Sequence, residues 1–213
     1  MSGMSGGPHG EHRALIGELA ALVRLAHTAL RAASAVLTDP EDPGGGDTGI
    51  PTAEKALAEL RERIEEDAAA VVPGGPTGLV LGVHVGCEVE ALGQLVQRLL
   101  EAAWARQERE PFAERLRTPL RGLAGAAVEL VARAADALES GAPEDIADVL
   151  ARLPEVGRRQ RGLYELLLAP ETDGGTDPVD TADLVLLSCC YQQCADRAAA
   201  VVRHTGLLAR AAR

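Results

Sequence analysis

The sequence predicts an all-α protein of six helices, arranged as two pseudo-symmetric three-helix bundles. Apolar residues recur at helical spacing in six segments, and prolines and glycines separate these segments. The chain of 213 residues contains one Trp, one Phe and two Tyr, whereas β-sandwiches and barrels favour aromatic residues. The third and sixth segments also share a pattern at an offset of about 102 residues, which indicates an internal duplication.

A long turn-rich segment separates the first two predicted helices. A Gly/Ser-rich tail, residues 1–10, precedes the first helix. Residues 39–49 hold two prolines and three consecutive glycines, so we expect a loop there. Pro51 and Thr52 then open the second helix. The apolar sides consist of Leu15, Leu19, Leu22, Leu30 and Leu37 on the first helix and Leu57, Leu60 and Ile64 on the second.

The third predicted helix covers about residues 77–109 and is rich in glycine. Gly78, Gly82, Gly86 and Gly93 lie inside it. A glycine inside a helix costs about 1 kcal/mol relative to alanine. We therefore expect another backbone to pack closely against this helix.

Three further helices make up the second half of the chain. The fourth covers about residues 112–139, and the fifth follows Pro143. Pro154 lies inside the fifth pattern and should kink or split the helix, because proline removes a backbone hydrogen bond and clashes with the preceding turn. After an acidic, Gly-rich loop at residues 171–177, the last helix runs from Pro178 nearly to Arg213.

The duplication defines the predicted domain organisation. The offset pairs Pro76 with Pro178, Val83 with Val185, Val85 with Leu187, Cys87 with Cys189, Gly93 with Ala195 and Leu99 with Val201. We expect a flexible tail at residues 1–10, one three-helix repeat at residues 11–110 and a second at residues 111–213.

Charge and composition restrict the class of function. The net charge of −11 and the lack of a concentrated basic patch argue against general nucleic-acid binding. The N-terminus lacks the features of a signal peptide, and no run of about 18 uncharged apolar residues predicts a membrane helix. Three of the four cysteines, Cys189, Cys190 and Cys194, lie in one short segment, which is not a disulfide framework. We expect a cytoplasmic protein with reduced thiols.

Two matching segments carry the most specific signal. Residues 85–97 read VGCEVEALGQLVQ, and residues 187–199 read LSCCYQQCADRAA. They resemble the paired signature of the PhoU family of phosphate-signalling proteins, in which each copy carries an acidic residue, three intervening residues and an aspartate. Glu90 holds the acidic position of the first copy, and Gln94 stands in place of its aspartate. In the second copy Gln192 replaces the glutamate, and Asp196 holds the final position.

The resemblance, which spans about residues 11–210, implies metal positions at Glu90, Gln94, Gln192 and Asp196. Carboxylates at i and i+4 share a helix face and can hold hard cations. An amide keeps an oxygen ligand but removes a charge, so binding of Fe, Mn or Mg should weaken. We expect no cofactor and expect the two carboxylates to be hydrogen-bonded to the two amides or to arginines such as Arg98 and Arg197. A weakly held Fe, Mn, Mg or Zn ion is the alternative.

The resemblance also implies a role. A PhoU-like protein is expected to be a non-enzymatic accessory regulator at the cytoplasmic face of a phosphate ABC transporter. It would link the transporter ATPase subunit to a sensor histidine kinase and damp the phosphate-starvation response. The sequence contains no Glu-x-x-His, HExxH or GxxxxGK[ST] motif, and we expect no enzyme. Exposed charged stripes at residues 59–67 and 152–161 would suit protein contact, and a homodimer is plausible.

Two alternatives remain open from the sequence. A divergent scaffold would keep the fold, lose metal binding and regulate another partner, as the substituted motifs Gln94 and Gln192 suggest. A metal or redox protein would use His84 with Cys87, Cys189, Cys190 and Cys194, since Cys190 and Cys194 are one helical turn apart. Buried cysteine also serves as a small apolar residue in helical cores, and this packing role is the simpler interpretation.

Overall fold

A computed structural model describes residues 8–39, 46–69, 75–107, 109–169 and 177–211 of the chain. Within these ranges all the regular structure is α-helical, which confirms the predicted fold class. The six helices are α1 Pro8–Thr38, α2 Gly46–Ala69, α3 Gly75–Arg106, α4 Glu114–Ser140, α5 Pro143–Leu168 and α6 Pro178–Ala211.

Four helices form the centre of the molecule. α1 packs against α3 and α4, and α6 packs against α3 and α4. α2 covers α1 and α3 on one side, and α5 covers α4 and α6 in the equivalent way on the other. The same pairings thus recur in the two halves, as a duplication requires. A continuous core of buried residues draws on all six helices, and the division at residues 110 and 111 stays a prediction.

The core consists of Leu, Val, Ala and a few larger residues, as the composition predicts. Tyr191 is the largest fully buried side chain, and Phe112 is buried as well. Within α1, the segment Arg13–Thr38 is long and apolar enough to cross a membrane by length and composition. However, 56% of its most apolar stretch is buried inside the bundle, which is the arrangement of a core helix.

Local sequence accounts for several helix ends. α4 stops at Gly141, whose φ of 60° is the left-handed conformation that glycine adopts readily, and its N–H donates to the Ala137 carbonyl at 3.0 Å. Pro143 then starts α5 at a position where its missing N–H removes no helical hydrogen bond. Asp177 caps α6, because its Oδ1 accepts the Val179 N–H at 2.9 Å.

The start of α2 corrects the predicted loop at residues 39–49. The helix begins at Gly46, before Pro51, so residues 46–49 are helical, whereas residues 40–45 lie outside the described residues. Tertiary packing explains the difference. Ile50 is buried, and a Cβ on Gly49 would stand 2.6 Å from Val36 Cγ2 of α1. α1 likewise begins at Pro8, inside the predicted tail, and residues 1–7 are not described.

Proline does not split α5. The helix is continuous from Pro143 to Leu168 with Pro154 inside it, so a split at Pro154 is wrong, whereas a kink there stays a prediction. Val149, Val156 and Leu163 recur at seven-residue spacing and are all buried. Burial of three such side chains, each contributing about 1.5–3 kcal/mol, outweighs the loss of about 3 kcal/mol that an interior proline causes.

The glycines of α3 do not mark a close approach of another backbone where the structure tests them. An added Cβ on Gly86 would meet nothing within 4 Å. On Gly93 it would stand 3.1 Å from Cδ2 of Leu60, which is a side-chain atom of α2. The expectation of tight backbone packing is therefore wrong at both positions.

Candidate functional site

α3 and α6 lie side by side in opposite directions and carry all four predicted motif positions. The end of α3 meets the start of α6 through Arg106 and Asp180, whose Nη1 and Oδ1 atoms are 3.0 Å apart. The start of α3 meets the end of α6 through His84 and His204. On their opposite sides α3 packs against α1 and α6 packs against α4, so the exposed sides of α3 and α6 form a common surface.

This surface, called the outer α3–α6 face, is the candidate site. On α3 it consists of Val83, Cys87, Glu90 and Gln94, and on α6 of Leu186, Gln193 and Asp196, all of which are exposed. The three- and four-residue spacing on α3 repeats one helical turn at a time. Three of the four predicted motif residues therefore lie on one solvent-facing surface.

Gln192 and Asp196 form the expected contact within the second motif. The Gln192 Nε2 donates to Asp196 Oδ1 at 3.2 Å. The Gln192 Oε1 is shielded from solvent, has no hydrogen-bond partner in the described structure, and lies 3.7 Å from the place of a Cβ on Gly157 of α5. Gln192 thus points toward α5 and lies only partly on the outer face.

The first motif makes no equivalent contact. Neither Glu90 nor Gln94 has a hydrogen bond or an ion pair in the described part of the chain. The expected pairing with Arg197 is wrong, because Arg197 Nη1 donates instead to Glu88 Oε2 at 3.0 Å. Glu90 is left as an exposed carboxylate.

The residues present do not fit a multi-cation cluster. Each motif supplies one carboxylate and one amide, and the Gln192 oxygen points away into the α5 contact. In the described ranges, no three His, Cys, Asp or Glu side chains converge closely enough to hold a metal ion. Hard cations prefer several anionic oxygen ligands. Weak binding of Fe, Mn, Mg or Zn at these positions stays a prediction.

A charged and aromatic group outside the two motifs joins the two helices. The rings of His84 and His204 stack with their centroids 4.8 Å apart. The Glu88 carboxylate lies 4.0 Å from His204 Nε2 and accepts the Arg197 hydrogen bond. As the spacing predicts, Glu88 points away from the Glu90 side of α3. The signal in the sequence was the pairing of His84 with Glu88 at i,i+4 and of Arg197 with His204 at i,i+7.

The other end of the helix pair holds a denser ion-pair network. Arg106 donates to Asp180 at 3.0 Å and to Asp183 at 2.9 Å, and Arg109 donates to the same two carboxylates at 2.7 and 2.9 Å. The Arg106 side chain is only 9% exposed. Asp177 lies 3.9 Å from Arg109. This network fixes the register of α3 against α6 and so positions the outer α3–α6 face.

The cysteines do not assemble into a shared site in the described structure. Cys87 is exposed on α3, whereas the other three lie on α6. Burial raises the pKa of the Cys190 thiol and, more strongly, of the fully buried Cys194 thiol. The Cys189 sulfur lies 3.3 Å from the Tyr164 hydroxyl. Since thiolates are the reactive and metal-binding species, Cys190 and Cys194 suit a packing role.

Comparison with solved structures identifies the architecture. The chain superimposes on the crystal structure of PhoU from Pseudomonas aeruginosa with a TM-score of 0.71, covering 95% of this chain and 99% of that one. The fold is PhoU-like. The sequences are only 16% identical, so the likeness concerns the fold alone. No family model matches the sequence, and no curated protein matches it.

The PhoU-like fold confirms what the paired motifs indicated about architecture. The match covers nearly the whole of both chains, so the likeness of the fold extends across both halves of this chain. Gln94 and Gln192 are neutral, and the ion pairs between α3 and α6 lie outside the four motif positions, at Glu88 and at Arg106.

Proposed function

We propose that this protein is a cytoplasmic PhoU-like regulator that acts through protein contacts and not through catalysis. The observation that supports the proposal is the full-length PhoU-like fold, with two motif-bearing helices side by side. The proposed partners are the ATPase subunit of a phosphate ABC transporter and a sensor histidine kinase, so the protein would work at the inner face of the membrane. A homodimer is part of the proposal.

The proposed contact surface is the outer α3–α6 face. It presents the Glu90 and Asp196 carboxylates beside exposed apolar side chains, Val83 at 53% and Leu186 at 65% exposure. Apolar residues with a polar surround are typical of protein interfaces. The ion-pair network at Arg106 and the pair of Glu88 and Arg197 hold the two helices in place, so this surface is rigid enough to be recognised without refolding.

A second candidate function is a PhoU-like scaffold that has left phosphate signalling and regulates another partner. Gln94 and Gln192 favour it, because each removes one carboxylate from a motif. The two candidates share the fold and the surface. They differ in the partner and in whether its capture depends on phosphate.

Co-purification from the native organism tests both candidates. Tagged protein would be recovered from cells grown with phosphate and from phosphate-starved cells, and bound proteins would be identified by mass spectrometry. Phosphate-dependent recovery of a transporter ATPase or a sensor kinase supports the first candidate. Recovery of a different regulator, unaffected by phosphate, supports the second and overturns the first.

Charge reversals test the surface separately. Glu90→Arg and Asp196→Arg should each reduce partner recovery at least fivefold, because they reverse the charge of the outer α3–α6 face. Glu165→Arg is the matched control, since Glu165 is an exposed glutamate of α5 outside this face. If all three variants recover the partner as well as the wild type does, the outer α3–α6 face is excluded as the contact surface. Sedimentation of the purified wild type measures whether it dimerises.

A further inference from the structure

The packing of α4 against α5 opens into a groove along part of its length. The two antiparallel helices are joined by Gly141 and Ala142, and near this connection charged side chains bridge them. Arg133 lies 3.0 Å from Asp148, and Arg152 lies 3.6 Å from Glu129. Farther from the connection α4 carries Gly122 and Gly125, which have no side chains that could reach across to α5. A cavity of about 560 Å³ is present there.

Small and apolar residues form the floor of this α4–α5 groove. Gly122, Gly125 and Ala126 come from α4, and Leu130 and Val156 close the base. At Gly122 the end of the Arg159 side chain covers the helix, because a Cβ there would stand 2.8 Å from Arg159 Nη1 and would displace it. At Gly125 nothing lies within 4 Å of an added Cβ. The groove is therefore open at Gly125 and bordered by a guanidinium at Gly122.

Arg121 at the rim of the groove is held by Thr38, the last residue of α1, and by Asp39. Its Nη2 donates to the Thr38 carbonyl at 3.0 Å and lies 2.5 Å from Asp39 Oδ1. Its Nε is shielded from solvent and has no hydrogen-bond partner in the described structure. Shielded N–H groups without an acceptor are uncommon in proteins. Arg121 is thus held in position while one of its donors stays unused.

The charge of the lining favours an anionic ligand. Three arginines, Arg121, Arg152 and Arg159, and two glutamates, Glu129 and Glu155, line the groove, which leaves an excess of one positive charge on a chain of net charge −11. Hydrogen bonds from Arg158 and Arg159 lower the pKa of Glu155. Glu155 is thus ionised at neutral pH and competes with any incoming anion for Arg159. Arg121 is paired with Asp39, which is not part of the groove lining, so an incoming anion would share this guanidinium with the Asp39 carboxylate.

We infer that the α4–α5 groove binds a small ligand through an oxyanion group, held by Arg121 and Arg159 above the Gly122–Gly125 floor. Planar guanidinium groups bind carboxylate and phosphate oxygens with paired hydrogen bonds. Both chemistries fit, and the volume admits a small metabolite but no folded domain. The groove lies on α4 and α5, apart from the outer α3–α6 face, so this inference does not rest on the proposed function.

Titration of the ¹⁵N-labelled full chain tests the inference. Sodium phosphate and sodium succinate would be added separately at pH 7, with ionic strength held constant by sodium chloride, and the amide resonances of Gly122 and Gly125 followed. We expect saturable shifts with a millimolar Kd for at least one anion. Saturation by phosphate alone assigns a phosphate-bearing ligand, by succinate alone a carboxylate-bearing one, and by both a general oxyanion site. No saturable shift with either anion overturns the inference.

Three variants locate the binding. Arg121→Gln and Arg159→Gln should each weaken it at least fivefold, and Gly125→Ala should weaken it by filling the floor without a steric clash in the fold. Arg197→Gln is the control, because Arg197 lies at the α3–α6 contact, and it should leave the Kd unchanged. Binding that is equally strong in all variants would show that the anion binds elsewhere and would overturn the inference.

Discussion

The Arg106 guanidinium at the end of α3 lies over the ring of Phe112, with its Cζ 3.5 Å from the ring centroid. Phe112 precedes α4 and is buried. The same guanidinium donates to the Glu110 carbonyl at 3.0 Å and to Asp180 and Asp183 of α6. Arg106 therefore connects three parts of the chain: the end of α3, the segment leading to α4 and the start of α6.

Loss of this side chain should destabilise the whole fold. We expect Arg106→Ala to lower the free energy of unfolding by about 3 kcal/mol, because it leaves two partly buried carboxylates with only Arg109 and removes a cation–π contact. Urea denaturation followed by circular dichroism measures the change. Arg158→Ala is the control. Arg158 is 62% exposed and, among the described residues, pairs with Glu155 of its own helix, so its loss should change stability by less than about 0.5 kcal/mol. Equal effects would contradict a special role for Arg106.

The two tyrosines of the second half should respond in opposite ways to loss of their hydroxyls. The Tyr164 hydroxyl accepts hydrogen bonds from Ser188 and Gln160, both at 3.0 Å. Tyr191 is fully buried, and in the described residues its hydroxyl makes no hydrogen bond of normal geometry, although the Ser34 side chain, whose hydroxyl donates to the Leu30 carbonyl, lies near it. We expect Tyr164→Phe to lower the free energy of unfolding by about 1 kcal/mol and Tyr191→Phe to leave it unchanged or raise it by up to about 1 kcal/mol. Urea denaturation curves of the two variants and the wild type measure these changes in the free energy of unfolding. A larger loss of stability in Tyr191→Phe than in Tyr164→Phe would contradict this prediction.

The partly buried His27 should make the stability of the fold depend on pH. Burial lowers its pKa from the ordinary 6.5, and the neighbouring charges of Arg31 and Arg24 lower it further. The unfolded chain then binds the proton more readily than the folded one, so its contribution to stability is complete above pH 6.5 and is lost as the pH falls toward the folded-state pKa.

Urea denaturation at pH 7.5, 6.5 and 5.5 measures this effect. The wild type should lose stability over the lower part of this range, and His27→Gln should lose less. The carboxylate of Glu139, whose pKa is lowered by hydrogen bonds from Arg24, acts in the same direction but only near and below its ordinary value of 4.5. Parallel curves for wild type and variant would assign the pH effect to other groups.

Rebuilding the carboxylate pairs should create a stronger metal site. We expect Gln94→Asp combined with Gln192→Glu to raise the affinity for Mn²⁺ at least about tenfold, since it restores carboxylates at i,i+4 on both helices. Calorimetry and the metal content of the purified protein measure the gain. Leu166→Glu is the control, as it adds a charge at an exposed position of α5 that has no carboxylate three or four residues away. Unchanged affinity in the double variant would mean that the two motifs no longer place their oxygens for a cation.

Two glycines of α3 offer a test of packing. Gly86→Ala should raise the free energy of unfolding by about 0.5–1 kcal/mol, because alanine favours the helix and nothing obstructs its methyl group. Gly93→Ala should raise it less, because the new Cβ would stand 3.1 Å from Leu60 Cδ2. Thermal denaturation of both variants gives the comparison. A greater gain in stability from Gly93→Ala would show that the Leu60 side chain of α2 moves aside at little cost.

The sequence by itself determined the fold class and the number and approximate limits of the helices. Helical periodicity and the scarcity of aromatic residues are local or compositional properties, and the offset between the segments around Cys87 and Cys189 is visible without coordinates. Spacing also placed Glu90 with Gln94 on one side of α3 and Gln192 with Asp196 on one side of α6, since spacing along a helix fixes direction around its axis.

Only the tertiary structure decided which helices stay continuous through a proline and which side chains of different helices contact one another. Pro51 and Pro154 are local breakers, yet packing of Gly49 and Ile50 against α1 and burial of Val156 keep both helices continuous. Likewise the contact of Arg197 with Glu88 joins residues 109 positions apart. No periodic pattern carries such information, because it depends on how two helices align, and that alignment is set by the summed packing of the whole core.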